Sequence, residues 1–201
     1  SQQQPPAVAY DGQVIEAKAY WGGVTLSLGA SQEKLLTNVD SELAGYGVKY
    51  YTKNNIVISC YKRADGRGEG FKALAKDGTA YYFDVPHQVR AYLPSYPRLP
   101  VYNYFLRISK VVDRFGNSVS FKYSTRTGAN GMVSNNLTSI ESSDGRQISL
   151  FYEHATQPNL VTRVTANGRH WTYQYSDSNM FSLSTVTRPD GRSWTYGLYD
   201  D

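Results

Sequence analysis

Few residues in this chain have both the type and the spacing that chemistry requires. His87, His154 and His170 are far apart, none stands four residues from another, and neither H-E-x-x-H nor C-x-x-C occurs, so no metal-ligand set is expected. Cys60 alternates with Ile56 and Ile58, the placement of a buried, inert thiol on a strand rather than of an activated nucleophile. There is no G-x-S-x-G and no P-loop. The run Gly66-Arg67-Gly68-Glu69-Gly70 lacks a strand-to-helix unit around it and reads as a turn or bulge. Asp200-Asp201, and Asp11 with Glu16, lack the apolar surroundings that tune an acid or base. The expectation is a protein that is no enzyme and holds no cofactor or metal. What remains is aromatic: Trp171, Tyr173, Trp194 and Tyr196 alternate along two segments, and such rings can stack on a sugar or on a partner's side chains. The competing expectation is that their regular spacing turns them toward the core.

The composition says what kind of element must carry these rings. With 18 Tyr, 7 Phe, 3 Trp and 17 Gly among 201 residues, and only 19% charged, the chain has the bias of an all-β protein: aromatic rings suit a pleated surface and Gly serves tight turns. A single Cys excludes an internal disulfide and leaves the redox compartment open. The formal charge of +4 is spread along the chain, with a local concentration at Lys62, Arg63 and Arg67 beside Asp65 and Glu69. No nucleic-acid partner is expected from that distribution. No apolar run reaches the ~18 residues of a membrane span, and no signal-peptide pattern stands at the start.

The second half repeats itself. Ile108 to Tyr123, Leu137 to Tyr152, Val161 to Tyr175 and Leu183 to Leu198 share one plan around the turn glycines Gly116, Gly145, Gly168 and Gly191. At the third, fifth and seventh residues past each glycine stand Val119, Phe121 and Tyr123; Ile148, Leu150 and Tyr152; Trp171, Tyr173 and Tyr175; Trp194, Tyr196 and Leu198. The residues between are mostly polar, the period of a strand with one buried face. Before each glycine sits an apolar pair: Ile108 with Val111, Leu137 with Ile140, Val161 with Val164, Leu183 with Val186. Each repeat is therefore a predicted β-hairpin, with D-G or N-G supplying a turn of type I′. A fainter copy surrounds Gly78, with Phe71 and Leu74 before it and Tyr81, Phe83 and Val85 after it.

Leu137-Thr138-Ser139-Ile140 leading to Asp144-Gly145-Arg146, and Leu183 through Arg192 followed by Trp194-Thr195-Tyr196 and Tyr199-Asp200, resemble the RHS or YD repeat. Tyr173-Gln174-Tyr175-Ser176-Asp177 is similar to its Y-x-Y-D tail with one residue interposed, and the stretch from Gly70 to Asn117 is similar to the segment leading into such repeats. The resemblance covers residues 59 to 201. It implies stacked antiparallel hairpins in a spiralling, curled sheet, part of a hollow shell that encloses a toxin or, in teneurins, serves adhesion. It also implies a secreted or surface-delivered bacterial protein whose partners are neighbouring repeats. The chain departs from the complete bacterial form in having no Asp-Pro dipeptide, so neither the self-cleaving segment nor a toxin is expected within these residues. The strand from Trp194 to Leu198 is expected to leave an open edge for self-association. The alternative is a β-sheet binding module that takes carbohydrate or protein on its aromatics.

Three regions follow: residues 1–19 as a tail or linker, 20–105 as a β-rich region leading into the repeats, and 106–201 as four hairpins. Within the second, residues 20–30, from Tyr20 through Leu28, alternate as a strand after the Gly22-Gly23 turn. Ser31 caps the one expected helix, running through Leu35, Leu36, Val39 and Leu43 to Gly45. Tyr46 to Tyr61 reads as a hairpin turning at Asn54-Asn55, and residues 86–104, with Pro86, Pro94, Pro97 and Pro100, read as a long loop.

Overall fold

The computed structural model describes residues 6–63, 65–91, 94–95, 99, 101–176 and 181–197. Leu198, Tyr199, Asp200 and Asp201, together with Asp177, Pro97 and Pro100, lie outside the described residues. The protein is all-β and antiparallel, with one short α-helix and one 3-10 turn among the described residues. It divides into two compact units, residues 1–116 and 117–201.

The first unit opens with a hairpin of β1 (Val8–Tyr10) and β2 (Gln13–Ile15), so the stretch set apart as a tail contains ordered structure. Asp11 and Gly12 both have positive φ, as a two-residue type I′ turn requires. A 3-10 turn at Ala17–Ala19 follows, and Ile15 and Ala17 are buried. The strands β3 (Thr25–Leu28) and β4 (Ser31–Lys34) form a second hairpin, after which come β5 (Leu36–Thr37) and α1 (Ser41–Gly45). The helix is thus ten residues later than Ser31. Gly29, at φ 59, opens a two-residue turn that makes Ser31 the first residue of a strand. The helix cap is Asp40, whose Oδ1 accepts the backbone N–H of Glu42 at 2.8 Å and of Leu43 at 3.2 Å.

The expected hairpin between Tyr46 and Tyr61 is present as β6 (Val48–Tyr51) and β7 (Val57–Lys62). It continues as a meander through β8 (Glu69–Leu74), β9 (Ala80–Ala91) and β10 (Val101–Val112). Cross-strand partners Tyr50, Ile58, Ala73, Tyr81 and Val111 make one row. Ile58 and Ala73 of that row form the core with Leu35, and Leu26, Ile56, Phe71 and Phe83 pack against it. The upstream repeat copy is real, but Tyr81 faces Ala73, while Leu74 is exposed. The proline-bearing stretch 86–104 is a correction. Both its flanks are strand, paired in register from Val85↔Arg107 to Ala91↔Val101. Pro86 is tolerated because β8 pairs with β9 only as far as Phe83, leaving one edge of β9 open beyond it.

The second unit is a meander of β11 (Ser118–Thr127), β12 (Val133–Ser142), β13 (Gln147–Phe151), β14 (Arg163–Ala166), β15 (Arg169–Tyr175), β16 (Leu183–Thr187) and β17 (Ser193–Thr195). Among the described residues of this unit, each strand packs chiefly against its neighbours in the sheet. The turns divide into two kinds. Asn167 and Gly168 both have positive φ, the expected type I′ turn. At Gly78, Gly145 and Gly191 only the glycine does, and the glycine N–H reaches back three residues to Ala75, Ser142 and Arg188. Those are three-residue loops, a type I turn followed by a left-handed glycine, which corrects the single I′ assignment.

Candidate functional site

The turn chemistry sets the register that brings the aromatics together. Each D-G loop has one residue more than the N-G loop. The apolar residue opposite the third position past the glycine therefore stands five before it in two repeats and four before it in the other: Ile140↔Ile148, Val186↔Trp194 and Val164↔Trp171. The fifth-position residue of each preceding strand pairs with the same apolar residue from the other side: Phe121↔Ile140, Leu150↔Val164 and Tyr173↔Val186. The result is three equivalent cross-strand triads on one face of the sheet: Phe121–Ile140–Ile148, Leu150–Val164–Trp171 and Tyr173–Val186–Trp194. Paired residues on one face of an antiparallel ladder have their Cβ atoms about 5 Å apart, close enough to pack.

The seventh-position tyrosines add a polar clasp. Tyr152 Oη donates to the Leu137 carbonyl at 2.8 Å, and Tyr175 Oη donates to the Val161 carbonyl at 2.8 Å. Each bond joins the first and last residues of its repeat. Burial raises the Tyr175 hydroxyl above the usual tyrosine range, keeping it a donor. His154 packs edge-on against Tyr175 and Phe181, and its Nδ1 accepts the Gln157 N–H at 3.1 Å.

Trp171, Tyr173, Trp194 and Tyr196 all fall on this face, with Tyr196 placed there by alternation from Trp194. They are not a closed core. Trp171 and Tyr173 are half-buried, while Trp194 and Tyr196 are 51% and 50% exposed. Only Val186 of the triad residues is fully buried. They share one face, and among the described residues of this unit no strand or helix packs on it. Arg188 lies over the Trp194 ring, its guanidinium carbon 5.4 Å from the centroid. Among the described residues no strand pairs with the outer edge of β17.

The opposite face is polar. Ser139, Ser149, Thr165 and His170 are successive cross-strand partners, and a shallow groove of ≈ 350 Å³ is lined by Gln147, Ser149, Thr165, Asn167 and His170 among others. His87 is in the first unit, beside Phe105, and His154 and His170 are in the second. Among the described residues no group of three His, Cys, Asp or Glu could hold a metal ion. Cys60 is half-buried on β7 opposite Phe71, and burial raises its thiol above the usual range, which disfavours the thiolate.

The turn aspartates are a feature the sequence reading passed over. Asp77, Asp144 and Asp190 each accept, through Oδ1, the backbone N–H two residues on, from Thr79, Arg146 and Arg192. The D-G signal thus names two roles: the carboxylate closes the turn and the glycine supplies its left-handed residue. Asp144 also accepts from Arg146 Nε at 2.7 Å, and that pair holds its carboxyl down at about 2.

No protein-family model and no curated protein matches this chain. Among the described residues no helix is long and apolar enough to cross a membrane.

Proposed function

We propose that this chain is a structural segment of an RHS or YD-repeat shell, serving to enclose or present a toxin or adhesion module in a secreted or surface-delivered protein. The observation that carries this reading is the threefold recurrence of the cross-strand triad. Each hairpin donates its fifth-position residue to the next hairpin, so no repeat completes its apolar face alone. A sheet with one apolar face suits a wall better than a free-standing domain. Work within the shell is positional and needs no catalytic group. Electron microscopy of the product of the whole reading frame is the test. Further repeats and a closed, hollow wall with polypeptide inside are expected; a frame without further repeats overturns the reading.

A second reading has its own observation. Trp194 and Tyr196 are half exposed beside Arg188, a geometry that could stack on a sugar ring or a partner's side chain. Glycan-array binding that quenches tryptophan fluorescence and is lost in Trp194→Ala would favour a binding module over a wall.

A further inference from the structure

The chain's excess of positive charge is confined to one stretch. Between Asp84 and Asp113 there is no Asp or Glu, while Arg90, Arg98, Arg107 and Lys110 stand there; the rest of the chain has 17 Lys and Arg against 17 Asp and Glu. The formal +4 therefore belongs wholly to this segment. The surface considered below is its paired strands alone, Val85–Ala91 of β9 with Val101–Arg107 of β10; Arg98 lies outside the described residues.

These strands form seven consecutive register pairs past the last residue of β9 that β8 reaches, a ribbon about 23 Å long at ~3.3 Å per residue. Its exposed apolar side chains occupy both faces. Tyr102 and Tyr104 are on one, across from Arg90 and Gln88; Val89 and Phe105 are on the other, across from Asn103 and His87. Tyr104 is 75% exposed, and Arg90 is exposed as well.

We propose that this ribbon docks on the surface of an anionic phospholipid bilayer, with Tyr104, Tyr102, Phe105 and Val89 at headgroup depth and Arg90 beside the lipid phosphates. The charge is complementary, since Arg90 is exposed and the paired strands carry no carboxylate to repel an anionic leaflet. Tyrosine suits the interface because its ring is apolar and its hydroxyl stays wet. The backbone groups between the two strands are paired with each other, which lowers the cost of leaving bulk water. Two features favour lipid over a nucleic-acid strand. Apolar side chains stand exposed on both faces of the paired strands, whereas a nucleic-acid strand would lie along one face. The described cations are also too few to track a phosphate backbone. The inference does not depend on the repeat-shell reading.

The test is co-sedimentation of the full chain with vesicles of phosphatidylcholine alone or mixed with phosphatidylserine. Binding to the mixed vesicles only, weakened by salt, is expected. Arg90→Gln should weaken it about fivefold, as expected for one cation near an anionic surface, and Tyr104→Ser should weaken it further, both with unchanged circular dichroism. Equal binding to both vesicles, no binding, or binding indifferent to both variants would overturn the proposal. So would tight binding of a single-stranded oligonucleotide that these variants abolish while vesicles are ignored.

Discussion

Tyr152 on the strand that follows one turn reaches back to donate its hydroxyl to the carbonyl of Leu137, the first residue of the same repeat, at 2.8 Å. Tyr175 does the same to Val161 one hairpin later. Removing one such hydroxyl strands a half-buried carbonyl, which costs on the order of 1 kcal/mol. Tyr152→Phe and Tyr175→Phe should each lower unfolding stability in urea by about that amount. Tyr173→Phe, whose hydroxyl makes no such bond, should be neutral.

The turn glycines make a different prediction, because their demand is conformational and not steric. Gly145 and Gly168 have φ of 86 and 73, and an added Cβ would meet open space at both. Gly145→Ala and Gly168→Ala should each cost ~1–2 kcal/mol through the left-handed backbone alone. Gly145→Asn should recover much of that loss. Gly197→Ala, at ordinary φ in open space, should leave the thermal midpoint unchanged.

Gly70 is required for the opposite reason. Tyr61 Oη donates to Asp84 Oδ2 at 2.8 Å across β8, and a Cβ on Gly70 would come within 2.8 Å of the Tyr61 ring and 2.9 Å of Asp84 Cβ. Burial and the Asp84 bond push the Tyr61 hydroxyl far above the usual tyrosine range. Gly70→Ala should destabilise by about 1–3 kcal/mol, the cost of overpacking. In a double-mutant cycle Tyr61→Ala should relieve part of it, giving clear non-additivity.

Two titrations carry defined signs. Burial, and then Arg107, lower the His87 pKa, so protonation favours the unfolded chain. Stability should fall as pH drops through the ordinary histidine range, and His87→Phe should blunt that fall in denaturant midpoints. The Asp144 carboxyl, held down by Arg146, keeps its contribution above its unfolded value and loses it as pH falls toward about 2. A carboxyl NMR titration should find that midpoint, and Arg146→Gln should move it up.

Much of this was legible from period and turn chemistry. Alternation after Gly116, Gly145, Gly168 and Gly191 gave the shared face, and Gly with Asn or Asp marked the turns at Gly78, Gly145, Gly168 and Gly191. What escaped were features set by how the strands pair. The loop type at Asp144-Gly145 depends on one extra residue, visible only in the pairing of Ile140 with Ile148. Ser31 carries a helix-cap signal, yet Gly29 two residues earlier commits it to a strand. The prolines after Val85 argued for a loop, but Pro86 sits where β9 lacks its second neighbour. The aromatic set Trp171, Tyr173, Trp194 and Tyr196 was found by spacing, whereas its partial exposure depends on what packs on that face, which no local pattern encodes.

The central claim is that each hairpin presents the register its successor needs. Inserting a second copy of residues 161–182 directly after Ser182 tests it most directly, read by equilibrium urea unfolding. One cooperative transition with a steeper denaturant dependence is expected, since an added hairpin buries more surface. An unchanged slope would mean that the copy is looped out, and a loss of cooperative folding would mean that the register is not passed on; either would contradict the claim.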